Sequence, residues 1–190
     1  MRNATPVPAM SIALAAALSA TALPARAADY VQAPGSTLAF AGMYQGEAFS
    51  GRFPGFATRL SFDPKALAGA KLEVTIPMAT ATAGNPDYDG ELRGASFFDT
   101  GKFAQARYVA SKFRALGGNQ YAADGTLTLR GVGKPVTLTF TWTPGTAPVL
   151  SGKATVQRLD FGVGSGEWAD TGTIPNAIAI STRVVLRPAK

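Results

Sequence analysis

Beyond Tyr30 the chain alternates between apolar and polar positions in short runs, separated by Gly and Pro punctuation. A period of two marks strands with one buried and one wetted face. The pattern predicts strands over residues 37–43, 47–53, 57–62, 71–76, 106–113, 120–129, 136–142, 149–156 and 177–186. It is cleanest in VTLTFTW (136–142), where apolar residues and Thr swap faces at every step. LGGN (116–119) and RGVGK (130–134) read as hairpin connections. Nine short strands at turn-like spacing, with no long helical pattern between them, predict an all-β barrel or sandwich. Residues 84–103 break the alternation. Within them, residues 87–92 have the length of one or two helical turns, opened by Asn85 and Pro86 near the N-cap. This interval is expected to form a lid or barrel end. No repeat, linker or low-complexity run divides the chain, so one domain is expected over residues 28–190.

The first 27 residues stand apart from that pattern. Arg2 gives a positive start, residues 12–23 are apolar and Ala-rich, and Ala25-Arg26-Ala27 offers small residues at the two positions a signal peptidase inspects. A signal peptide over residues 1–27 is expected, with cleavage after Ala27. The apolar run is shorter than the roughly 20 residues of a spanning helix. The remaining 163 residues form a domain of ordinary size, able to bury roughly 70% of its unfolded surface. An exported chain without Cys suits a periplasm and a core that needs no disulfide.

The composition removes whole classes of chemistry. With no Cys there is no thiol nucleophile, iron–sulfur cluster or thiolate zinc site; with no His there is no Ser-His-Asp triad, imidazole base or histidine-ligated metal. After the leader is removed, 16 basic residues stand against 12 acidic ones, scattered singly. No basic tract or basic amphipathic helix supports nucleic-acid binding. Asn85, Asp87, Asp89 and Gly90 fall at positions one, three, five and six of a calcium loop, but Ser96 stands where the twelfth-position Glu belongs. Helix capping and an Asx turn account for them. Gly162-Val163-Gly164-Ser165-Gly166 and Gly131-Val132-Gly133-Lys134 are pieces of phosphate loops without the helix that must follow, and they read as tight turns. Carboxylate catalysis would draw on Asp87, Asp89, Glu91, Asp99, Asp160 or Glu167. The aromatic residues admit two readings, a filled core or an apolar cavity with aromatics at its mouth, and periodicity alone does not choose between them.

Resemblance does. GASFFDTGKFAQARYVASK (94–112) resembles the "dFFD…kFPtAtFvStk" signature of the YceI-like, polyisoprenoid-binding, lipocalin-like family. ADGTLTLRGVGKPVTL (123–138) is similar to that family's "v.GdLTlrGvTkPVtL" hairpin, and GRF (51–53), FDP (62–64) and RLDFGVG (158–164) match in the same order. The resemblance implies an extended eight-stranded antiparallel lipocalin-like barrel with a deep apolar channel and one short helical segment near residues 87–103. It also implies a periplasmic binder of a polyisoprenoid, quinone or fatty-acyl chain, with no cofactor, as a possible homodimer, and with membrane cytochrome b561 as a further partner. Where the family has "RDxHLR" this chain has Tyr88-Asp89-Gly90-Glu91-Leu92-Arg93, and Ala33-Pro34-Gly35-Ser36 replaces the family's first-strand "DpaHS". Loss of those cationic donors points away from a diphosphate head and toward a neutral quinone, alcohol, amide or acyl group.

On this reading the channel is lined by Phe40, Phe62, Val74, Ile76, Leu127, Leu129, Leu138, Phe140 and Trp142. Phe97, Phe98, Phe103, Phe161 and Trp168 stand at its mouth, with Arg93 and Asp99 as head-group contacts. Two other functions are kept: a carboxylate-based lipid-modifying enzyme using Asp99, Asp160 or Glu167, and a barrel whose surface serves a membrane cytochrome.

Overall fold

A computed structural model describes residues 27–189, so the expected leader lies outside the described residues except for Ala27. Ten strands form one sheet: β1 (Ala28–Gln32), β2 (Thr37–Tyr44), β3 (Glu47–Arg52), β4 (Ala57–Phe62), β5 (Lys71–Pro77), β6 (Gln105–Gly117), β7 (Gln120–Leu129), β8 (Val132–Thr143), β9 (Val149–Gln157) and β10 (Ala177–Pro188). β1 and β4 to β10 pair antiparallel in a ring, closed where β10 returns to β1. This is the expected eight-stranded barrel. β6, β8 and β10 reach 12 or 13 residues, about 40 Å of strand, which makes it an extended one.

The two strands outside the ring are continuations of strands within it. One edge of β10 pairs with Tyr30, Val31 and Gln32 through residues 186–188, and with residues 37–41 through residues 179–183. β1 and β2 are therefore one stave broken at residues 33–36. β3 and β4 form a second, broken at residues 53–56. Both breaks carry a Pro-Gly pair, and proline has no N–H to give to a ladder. At the first break the Ala33 N–H still serves the Val185 carbonyl at 2.8 Å, and the Ser36 hydroxyl stands in for the carbonyl that the Val185 N–H lacks, accepting it at 3.0 Å while donating to the Ala33 carbonyl at 2.8 Å. All nine predicted strands are present. β1 escaped the pattern because five residues cut off by Ala33-Pro34-Gly35-Ser36 are too few to display a period.

The hairpin between β7 and β8 turns on Arg130 and Gly131 alone, both at positive φ, so β8 begins at Val132 inside the expected loop. The helix α1 (Pro86–Arg93) is the short helical segment expected near residues 87–103, extending one residue beyond 87–92 at each end. Asn85 caps it by accepting the Asp87 N–H at 2.9 Å. Gly94 leaves helical space in extended conformation, and Asp99 sits at φ 47°, so residues 94–103 are a chain of turns. Asp89, the third member of the calcium-like spacing, turns back to accept the Ala83 N–H and the Thr82 hydroxyl, which with Arg93 hold its carboxyl below the usual range. Two further single turns of tight helix, Arg158–Phe161 and Gly166–Trp168, break up the long connection between β9 and β10. The sequence pattern shows neither.

On the outer face, Arg114 holds Asp124 through two N–H donors at 2.8 and 3.1 Å, and the Thr137 hydroxyl adds a third bond at 2.7 Å. One carboxylate so ties β6, β7 and β8, and these bonds lower its pKa to about 2. A depressed carboxylate stabilises the fold above its unfolded pKa near 3.8, and that contribution fades as pH falls toward about 2. In urea titrations, the stability gap between wild type and Asp124→Asn is expected to be widest near neutral pH and to close in acid. A gap that stays constant with pH would contradict this role.

Candidate functional site

The inward positions divide by size along the barrel. At one end Tyr30, Phe62, Phe113, Tyr121, Phe140 and Trp142 interlock, with Phe62 5.0 Å from Trp142, 5.1 Å from Tyr121 and 5.7 Å from Phe140. These rings fill their level of the barrel. Toward the other end the inward residues are mostly aliphatic: Val74 and Ile76 of β5, Leu127 and Leu129 of β7, Ala154 and Val156 of β9, Ile178 and Ile180 of β10. They cannot fill the same cross-section, and a cavity of about 190 Å³ remains. A 150 Å³ apolar cavity already admits benzene. The barrel is thus packed at one end and hollow at the other.

The hollow end is roofed by two connections. From the segment after α1 come Phe97 and Phe98, with Leu92 of the helix; from the β9–β10 connection come Val163 and Ile174. Phe98 packs on Phe53 at 5.8 Å and Phe40 at 6.4 Å, while Phe97 meets Trp168 at 5.5 Å.

Two arginines hold the roof by its backbone. Arg158 is buried, and all five of its N–H donors reach carbonyls: Pro175 from Nε, Val163 and Gly164 from Nη1, Trp168 and Ile174 from Nη2, at 2.6 to 3.2 Å. Burial lowers its pKa from the ordinary value, yet a guanidinium stays charged in a protein. Gly164 must be glycine: its φ is +63°, and a Cβ there would lie 2.6 Å from Arg158 Nη1. Arg130, on the β7–β8 turn, spans both roof segments by donating to the Phe97 carbonyl at 2.5 Å and the Gly162 carbonyl at 2.6 Å.

The wall carries few polar groups, and most are already bonded. The Tyr108 hydroxyl donates toward the Ala123 and Val136 carbonyls at 2.7 and 3.1 Å, and burial pushes its pKa up to about 12. Thr182 donates to the Thr37 carbonyl at 2.9 Å. Thr58 differs: its hydroxyl is buried on the wall and has no partner among the described residues. Among the described residues no carboxylate or lysine lines the space, and the lining Arg158 spends all its donors on carbonyls, so the wall can bind an apolar body but brings no acid–base pair together there.

Of the residues named from the sequence, Phe40, Val74, Ile76, Phe97, Phe98, Leu127, Leu129 and Leu138 line the cavity. Phe62, Phe140 and Trp142 face inward as expected but belong to the aromatic plug. Phe161 is buried in the turn after β9, off the cavity wall. Trp168 backs Phe97 and Tyr44 from outside, and Phe103 lies under Lys102 and Arg130 at 5.3 and 6.0 Å. Arg93 and Asp99 do not reach the cavity; Arg93 faces Asp89 at 3.8 Å, and the Asp99 carbonyl accepts from the Lys102 and Phe103 N–H groups. Arg158, Thr58 and the β10 isoleucines were not singled out. Arg158 does open the RLDFGVG motif, where an arginine precedes a run of turn-forming glycines.

The YceI-like domain family model matches residues 30–186 of this chain. A UPF0312 protein of Vibrio parahaemolyticus is 33% identical over 134 residues, which are 68% of this chain and 69% of that relative. The crystal structure of BcnA from Burkholderia cenocepacia superposes with a TM-score of 0.76 at 29% identity, over 79% of this chain and 95% of that one. The structure of a polyisoprenoid binding domain from Saccharophagus degradans superposes with a TM-score of 0.67 at 14% identity, over 86% of this chain and 99% of that one, and shares the barrel.

Lysine offers three donors where Arg158 uses five. Arg158→Lys is expected to leave at least two roof carbonyls without partners, at about 1–3 kcal/mol each. Urea unfolding should report a loss of about 3 kcal/mol, and limited proteolysis should cut within residues 158–176. A lysine variant as stable and as resistant as wild type would show that the roof is held by other contacts.

Proposed function

The chain belongs to the YceI-like domain family, and from that premise we propose that it binds a long apolar molecule of the polyisoprenoid, quinone or fatty-acyl type inside the barrel. It acts as an exported periplasmic carrier or scavenger and carries out no reaction on its guest. The observation that carries this reading is the cavity itself: about 190 Å³, roofed, with an aliphatic and aromatic wall whose polar groups, Thr58 apart, are already hydrogen-bonded to protein. Such a wall, whose Arg158 has no donor left to give, offers little to a charged guest and much to a hydrocarbon. Each buried CH₂ contributes about 0.8 kcal/mol, so five give about 4 kcal/mol without a polar contact. The structural neighbour from Saccharophagus degradans is a polyisoprenoid binding domain, and that ligand class fits this interior.

One preparation tests guest and compartment together. Protein recovered from the periplasmic fraction of a bacterial host is analysed by native mass spectrometry and by solvent extraction. The expected result is a chain beginning at Ala28 with a lipid that leaves only on denaturation. Ala154→Phe places a ring in the cavity from β9 and is expected to reduce lipid retention at least tenfold while melting remains cooperative. Repeated absence of lipid, together with no uptake on titration, would refute the proposal.

A further inference from the structure

Thr58 faces the interior on β4, in the same inward series as Leu60 and Phe62. It is only 3% exposed, lines the cavity, and its hydroxyl has no partner among the described residues. A second buried atom, Gln32 Oε1, is also unpartnered. The two are neighbours in the ladder: β1 and β4 pair up to Val31 and Arg59, and one further step of that register sets Gln32 across from Thr58. Opposed side chains in an antiparallel pair lie about 5 Å apart at Cβ. The orientation of Gln32 is fixed, because its Nε2 donates to the Phe56 carbonyl at 3.0 Å. Oε1 is therefore the free end.

Leaving such atoms unbonded in an apolar interior is costly, and native proteins rarely do so without a use for them. We propose that Thr58 is the polar anchor of the cavity, backed by Gln32, which does not itself line the space, and that it takes the hydroxyl at the end of a long apolar chain. This rests on the reading of the barrel as a lipid binder and adds the head group. Gln32 Oε1 can only accept, and the donor beside it is the Thr58 hydroxyl, which a side-chain rotation can turn toward it; Thr58 Oγ1 is then left as an acceptor, so the guest must donate. A neutral hydroxyl meets that demand. A quinone or ester carbonyl can only accept, and would take the Thr58 proton at the expense of Gln32. A carboxylate or ammonium brings a charge to a wall that has no free countercharge.

The test compares farnesol with farnesyl methyl ether, which keeps the chain and removes the donor, each displacing an apolar naphthylamine fluorophore from wild type, Thr58→Val and Thr58→Ser. Wild type is expected to bind the alcohol about tenfold more tightly than the ether. Thr58→Val should lose most of that preference by weakening the alcohol alone, and Thr58→Ser should keep it. Free Thr58→Val should melt no lower than wild type, since the hydroxyl it loses has no partner to lose. Fluorophore uptake with equal binding of alcohol and ether in wild type overturns the anchor and leaves the lipid-binding reading standing; this comparison needs no variant. A preference that survives in Thr58→Val, or a clear drop in the variant's melting temperature, also overturns it. No uptake of fluorophore, alcohol or ether overturns both.

Discussion

Closure of the sheet through β10 is the constraint on which the rest of this molecule depends. A sheet edge is a row of backbone donors and acceptors that must find partners. Here one edge of a 12-residue strand is shared between β1 and β2 across a break that backbone alone cannot bridge. The Ser36 hydroxyl takes the place of the missing backbone group. Once the ring is shut, side-chain alternation is no longer a preference but a sorting into inside and outside. Every inward residue then competes for a cross-section that eight strands fix.

The hollow end follows from that sorting. Six aromatic side chains meet at one level and exclude all other volume there. Branched aliphatics and alanines at the other level leave space in the same ring. The sequence therefore needs no special cavity motif. It needs large inward residues on some staves to coincide with large ones on their neighbours, and small with small. The roof completes the arrangement from segments with irregular backbone, whose carbonyls would be orphaned if Arg158 and Arg130 did not reach them.

This explains which features the sequence disclosed. Period two reveals the face of a residue, and Phe40, Val74, Leu127 and Phe140 all face inward as expected. Period two does not reveal height along the barrel, which depends on register between strands far apart in the chain. That is why Phe62, Phe140 and Trp142, correct in face, belong to the plug, and why Ile178 and Ile180 on the wall were passed over. The hollow itself was foreseen only through the resemblance to a family. Arg158 was hidden for another reason: its partners are carbonyls, which every residue possesses, so no second side chain marks the pairing. Thr58 was hidden likewise, since one threonine in a strand of alternating residues carries no signal until burial and lack of a partner are seen together.

The roof is fastened by its main chain, and this leaves its side chains unusually free. The contacts of Arg158 and Arg130 end on carbonyls of Phe97, Gly162, Val163, Gly164, Trp168, Ile174 and Pro175, so each survives a change of side chain at those positions, provided the backbone can still adopt the turn. Evolution or design can therefore rewrite the lining at Phe97, Val163 and Ile174, and with it the width and texture of the space beneath, without unfastening the cover. The two arginines and Gly164 act as a fixed frame into which different panels can be fitted.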